Sequence, residues 1–94
     1  MNLLQGQWAL VTGASRGIGR AIAEALAAEG AKVVGTATTP AGAEAISDWL
    51  GASGGRGAVL DVADAAAIDA LFAALEAGGA SPSILVNNAA ITRD

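Results

Sequence analysis

The 94-residue chain reads as an α/β domain, a parallel β-sheet with helices on both faces. Three observations point there. Four short apolar runs alternate with three helix-like segments. The runs are almost continuously apolar, as in strands covered on both faces, and do not alternate with polar residues. The segments between them have the length that parallel crossovers need. Right-handed crossovers then give the strand order three-two-one-four.

Taken in order, Trp8-Ala9-Leu10-Val11-Thr12 is the first strand, ended by Gly13. Ile18 to Glu29 follows as a helix with an expected apolar stripe of Ile18, Ile22, Ala25 and Leu26, stopped by Gly30. Ala31 to Thr36 is the second strand. Pro40 to Leu50 is the second helix, with Pro40 in the first turn, where its missing N–H costs nothing, and a thin stripe of Ala43, Ile46 and Leu50. Trp49 either completes that stripe or lies partly exposed. Gly51 to Gly57 is glycine-rich and expected to be loop, and Ala58-Val59-Leu60-Asp61-Val62 is the third strand. Asp64 can cap a third helix reaching about Ala77, with Ile68, Leu71, Phe72 and Leu75 on its buried side. Ser83-Ile84-Leu85-Val86-Asn87 is the fourth strand.

Composition narrows the chemistry. A 53% hydrophobic, 15% charged chain is not held open by charge. Alanine supplies 25 residues, so helix faces are small and can approach the sheet closely. With no Cys and no His, thiol catalysis, disulfide scaffolds, zinc fingers and histidine acid–base pairs are excluded from this segment, and no metal site is expected. A net charge of -4 argues against nucleic acid as a partner. No uninterrupted apolar run is long enough for a membrane span and no targeting signal is visible, so no membrane association is expected and the cytoplasm is the default location.

The most informative stretch is Thr12-Gly13-Ala14-Ser15-Arg16-Gly17-Ile18-Gly19, which leaves the first strand and opens the first helix. A nucleotide-phosphate loop needs that placement. Gly13 permits a tight turn, Gly17 lets backbone approach a pyrophosphate, and Gly19 lets helix and strand pack closely. The N–H groups of a helix's first turn and its dipole favour an anion. Ser15 can donate a hydroxyl and Arg16 a charge-assisted contact. A glycine-rich turn without a ligand uses the same residues. The Lys-Ser or Lys-Thr of a P-loop is missing, which argues against a triphosphate hydrolase.

Past the second strand, Thr36-Ala37-Thr38-Thr39 holds no acid that could accept from a ribose 2′-hydroxyl, and the first carboxylate is Glu44. Hydroxyls at Thr36, Thr38 and Thr39, with Arg16, suit a 2′-phosphate, which favours NADP over NAD. The threonines can equally cap the helix that starts at Pro40. Asp61 either holds an adenine amino group, with Val62 on the base, or caps loop amides. Asn87 and Asn88 end the fourth strand, where they face a ligand crevice or tie strands together.

Together, Thr12 to Gly19, Leu60-Asp61-Val62 and Asn87-Asn88-Ala89-Ala90 resemble the short-chain dehydrogenase/reductase family. Gly35 to Thr39 and Ile91-Thr92-Arg93-Asp94 resemble its 3-oxoacyl-acyl-carrier-protein reductase members. The resemblance covers the whole chain. It implies a Rossmann-type NADP-binding domain of which residues 1–94 are the N-terminal part, truncated before the catalytic segment. It implies NADPH-dependent reduction of a 3-oxoacyl thioester on acyl carrier protein, in fatty-acid elongation, by a homo-oligomeric parent. It places Gly13, Ser15, Arg16, Gly17, Ile18 and Gly19 at the phosphates, Arg16 and Thr38 at the 2′-phosphate, Asp61 and Val62 at adenine, and Asn88 at the adenosine-side ribose, with Asn87 more structural. Ala90 stands where the family usually has glycine. The family's catalytic Ser, Tyr and Lys come later in the chain than residue 94. Here there is no Tyr, and the one lysine, Lys32, starts a strand away from the crevice, so no catalytic residue is expected within the segment. The competing expectation is an autonomous small dinucleotide-binding or structural protein without catalysis.

Overall fold

A computed structural model describes residues 3–88. The element order is β1 (Trp8–Val11), α1 (Gly17–Ala28), β2 (Lys32–Ala37), α2 (Pro40–Leu50), a 3-10 turn (Gly51–Ser53), β3 (Arg56–Val59), α3 (Ala65–Ala77) and β4 (Ile84–Val86). The strands form one sheet in the order β3-β2-β1-β4. Every pairing is parallel, with Leu10 opposite Val34 on one side and Leu85 on the other. This is the expected Rossmann-like α/β arrangement.

The side-chain alternation of β1 and β2 divides the core in two. Ala9, Val11 and Val33 pack with Ala23 of α1 and with Ile46 and Leu50 of α2. Leu10 and Val34 point to the opposite face and pack with Leu75 of α3, flanked by Leu71 and Phe72. Helices therefore cover both faces, α1 and α2 on one and α3 on the other, and the apolar runs of β1 and β2 are continuous because each residue meets a layer.

Two local expectations are corrected. The third strand begins at Arg56, inside the expected loop, and ends at Val59, so that Leu60, Asp61 and Val62 lie beyond the ladder. A Cβ on Gly57 would stand 1.9 Å from the Ala43 carbonyl oxygen, so α2 lies directly on this strand. Gly57 N–H also donates to Ser47 Oγ of α2 at 2.8 Å. Close approach requires glycine there, which removes the apolar signature of a strand. The stripe of α1 is corrected too. Gly19 and Ala23 are its buried residues, with Ile22, Leu26 and Ala27 packed alongside. Ala25 is exposed, and Ile18 is 74% exposed at the helix's first turn. The stripe of α2 is as expected, and Trp49 is half-buried with the Arg20 guanidinium 4.8 Å from its ring centre.

Candidate functional site

The C-terminal ends of the four parallel strands lie at one edge of the sheet, and the glycine turn occupies its centre, after β1. Gly13 and Gly17 both have φ of +65°. That region strains a residue with a Cβ, so both positions call for glycine. Gly19 has a different reason. A Cβ there would stand 2.1 Å from the Gly13 carbonyl oxygen, so the helix touches the turn's backbone. At Gly17, by contrast, a Cβ would meet nothing within 4 Å among the described residues. Its backbone faces open space, as an approaching ligand requires.

The start of α1 differs from the other two helices. Thr39 caps α2 by accepting Gly42 N–H at 3.1 Å, and Asp64 caps α3 by accepting Ala67 N–H at 3.1 Å. The corresponding residue of α1 is Arg16, in extended backbone, with no side-chain cap. Arg16 and Ile18 are exposed and Ser15 is half-buried. Among the described residues the first-turn amides thus have no side-chain cap of the kind that normally satisfies them, and the N-cap residue itself carries a cation. The arrangement suits an anion with several oxygens.

Neighbouring strands hold the turn from both sides. Asn88 Nδ2 donates to the Gly13 carbonyl at 3.2 Å. Thr36 Oγ1 accepts Gly13 N–H at 3.3 Å, and the Thr36 carbonyl accepts Ala14 N–H at 2.9 Å. Thr12 Oγ1 lies 3.2 Å from Asn87 Oδ1, to which it can donate. Asn88 therefore touches the glycine turn itself, and Asn87 ties β4 to the end of β1.

The threonine group separates. Thr36 is 1% exposed, so its hydroxyl does not face a ligand as expected. The reason is that β2 extends to Ala37, leaving Thr36 inside the strand on the face of Val34. Thr39 is engaged as a helix cap, the alternative reading for it. Thr38 is exposed just past the strand, next to Ala37, and no acid occurs before Glu44. Asp61 is exposed and caps, with one carboxylate oxygen accepting Ala63 N–H at 2.9 Å. Val62 borders a pocket of about 130 Å³ that also contains Leu60, Phe72, Leu85 and Asn87.

The glycine turn, Arg16, Ile18 and Asn88 are thus brought to one place. Thr36 departs from the expectation of a ligand-facing hydroxyl. The period-two alternation with Val34 was the available signal for its inward direction. Ala89, Ala90 and residues 91–94, which carry part of the resemblance, lie outside the described residues.

Residues 7–94 match the family described as short chain dehydrogenase. The chain is 61% identical over 90 residues to 3-oxoacyl-(acyl-carrier-protein) reductase FabG of Escherichia coli, covering 96% of this chain and 36% of that protein. Its likeness to the Haemophilus influenzae protein of the same name is 55% over 91 residues, covering 97% of this chain and 37% of that protein. For Pseudomonas aeruginosa the figures are 53% over 93 residues, 97% and 38%. The chain thus spans between 36% and 38% of the length of these three relatives. With the match running from Gln7 through the sheet and the glycine turn, the chain belongs to the short-chain dehydrogenase family.

Proposed function

We propose that residues 1–94 are the cofactor-binding part of an NADPH-dependent 3-oxoacyl thioester reductase acting on acyl-carrier-protein substrates in fatty-acid biosynthesis. The observation that carries the cofactor reading is the start of α1, where, among the described residues, uncapped first-turn amides, open space at Gly17 and the cationic Arg16 coincide. When bound, NADPH supplies a hydride. This segment's own residues have a holding role. Gly13, Ser15, Gly17, Ile18 and Gly19 receive the pyrophosphate through backbone and hydroxyl donors, and Asn88 steadies the turn beneath it. Arg16 and Thr38 take the 2′-phosphate, with no carboxylate at the end of β2 to repel it. Asp61 and Val62 flank the adenine.

The substrate reading is supported by the names of the relatives, each a 3-oxoacyl-(acyl-carrier-protein) reductase. Reduction of a ketone places negative charge on its oxygen, which needs a proton or fixed donors. The segment has no tyrosine. Its one lysine, Lys32, starts β2 at the opposite end of the sheet, with Nζ 5.6 Å from the Trp8 ring centre. Proton donation is therefore assigned to residues outside these 94, the segment alone is inactive, and the complete enzyme is a cytoplasmic homo-oligomer. Titration of the full-length protein with NADPH and NADH tests the cofactor choice. Arg16→Ala weakens NADPH by roughly tenfold or more, from the loss of a charge-assisted bond, and NADH much less. Equal losses refute the assignment of Arg16 to the 2′-phosphate.

A further inference from the structure

We infer that Thr36 is a positioning residue for the dinucleotide phosphates, its buried hydroxyl holding the Gly13 amide so that the glycine turn is preset before ligand arrives. The inference rests on the cofactor reading above and adds a residue to it.

The β1–β2 ladder ends at the pair Val11 and Gly35. Beyond it the chain of β1 bends away at Gly13, with φ of +65°. Ordinary sheet pairing cannot follow such a bend. Thr36 bridges it with two acceptors from one residue, Oγ1 to Gly13 N–H at 3.3 Å and the carbonyl to Ala14 N–H at 2.9 Å. From the other side, Asn88 Nδ2 reaches the Gly13 carbonyl at 3.2 Å. Both polar groups of the Gly13 backbone are thereby fixed, one from β2 and one from the end of β4. Gly13 in turn sets the helix, because Gly19 rests on its carbonyl. A shift of Gly13 moves the first turn of α1 and the amides it offers.

A hydrophobic residue of the same shape is the expected occupant of a site that is 1% exposed beside Val34. Packing alone gives no reason for a hydroxyl there, whereas the Gly13 N–H does. The strand ends at the next residue, Ala37, and Thr38 just past it is the proposed 2′-phosphate contact. One residue thus couples the pyrophosphate turn to the element that reads the ribose.

The test uses the full-length protein with three variants and two probes. Thr36→Val keeps the shape and removes the acceptor. Thr36→Ser keeps the acceptor and removes a methyl group, and Thr36→Ala removes both. NADPH requires the phosphate turn, whereas adenosine 2′-monophosphate carries the 2′-phosphate without the pyrophosphate. Thr36→Val is expected to weaken NADPH by roughly tenfold, the effect of stranding one partly buried donor, while adenosine 2′-monophosphate changes by less than about twofold. Thr36→Ser retains NADPH affinity within about threefold, and Thr36→Ala does not. Should the valine variant fail to fold, the serine and alanine pair still decides, since both lack the methyl group and differ by the hydroxyl. Equal losses in that pair, or a parallel loss of both probes, overturn the positioning role. A wild-type protein that binds neither NADPH nor NADH overturns the cofactor reading itself.

Discussion

Replacing Gly19 with alanine is the sharpest probe of how the glycine turn is built. On helix propensity alone, alanine in place of a helical glycine stabilises by about 1 kcal/mol. The structure reverses that sign. The added methyl carbon would lie 2.1 Å from the Gly13 carbonyl oxygen, 2.9 Å from its carbon and 2.6 Å from Asn88 Nδ2. Two of these three neighbours are backbone, which cannot rotate aside, so the turn and α1 must separate by more than an ångström to reach ordinary contact. Overpacking of this kind costs about 1–3 kcal/mol. The displaced Asn88 bond adds about 0.5–1.5 kcal/mol. Against the propensity gain, a net loss of about 0.5–3.5 kcal/mol is expected. Gly17→Ala is the matched control. It meets no atom of the described residues within 4 Å, and its penalty comes from φ of +65°, about 1–2 kcal/mol. Urea unfolding of the full-length protein, with NADPH titration beside it, measures both. Gly19→Ala is expected to lose stability and to weaken NADPH by tenfold or more, because the amides of the first turn move with the helix. A Gly19→Ala protein as stable as wild type, with unchanged affinity, would refute the close contact between turn and helix on which the site is built.

Two further outcomes follow from the caps and the sheet edge. Asp64→Ala removes the acceptor of Ala67 N–H at the start of α3 and should destabilise by about 1 kcal/mol in the same unfolding assay, leaving nucleotide affinity unchanged. The 94-residue chain on its own should associate with rising concentration in sedimentation, since β4 pairs with β1 alone among the described strands and its Leu85 is 58% exposed. Leu85→Lys should shift it towards monomer, and indifference to that change would clear the edge of blame.

Sequence patterning revealed the fold where burial is supplied by large side chains. β1 and β2 carry Leu10, Val11, Val33 and Val34, each covered by a helix layer, and their apolar runs are unambiguous. It misled where burial is supplied by closeness. β3 contains Gly57 because α2 rests on it, so its ladder residues lack an apolar run while Leu60 and Val62, outside the ladder, have one. The same holds in α1. There Gly19 and Ala23 face the sheet, and the larger Ile18 is turned outward at the site. The glycine turn was legible because its backbone demands leave residue-specific traces. The hydrogen bonds that Thr36 and Asn88 make to Gly13 were not, because bonds between the ends of separate strands exist only once β2, β1 and β4 are side by side.

The three helix starts show where this sequence departs from the rules that stabilise it. Thr39 and Asp64 are oxygen-bearing caps and each accepts a first-turn amide. Arg16 has donors only, so it cannot cap, and its cation is placed at the positive end of the helix dipole. Either effect alone costs about 0.3–2 kcal/mol. The same few residues hold the outward Ile18, one more locally unfavourable feature. Local penalties that coincide at one point, in a chain that follows capping preferences elsewhere, are the pattern expected of a functional site. The polyphosphate proposed above would offset the missing cap and the cation at the dipole's positive end together. It supplies acceptors for the bare amides, a counter-charge for Arg16 and a partner for the dipole. Ligand binding and folding stability are then coupled through α1. The ligand stabilises the native state in proportion to the logarithm of its concentration over its dissociation constant.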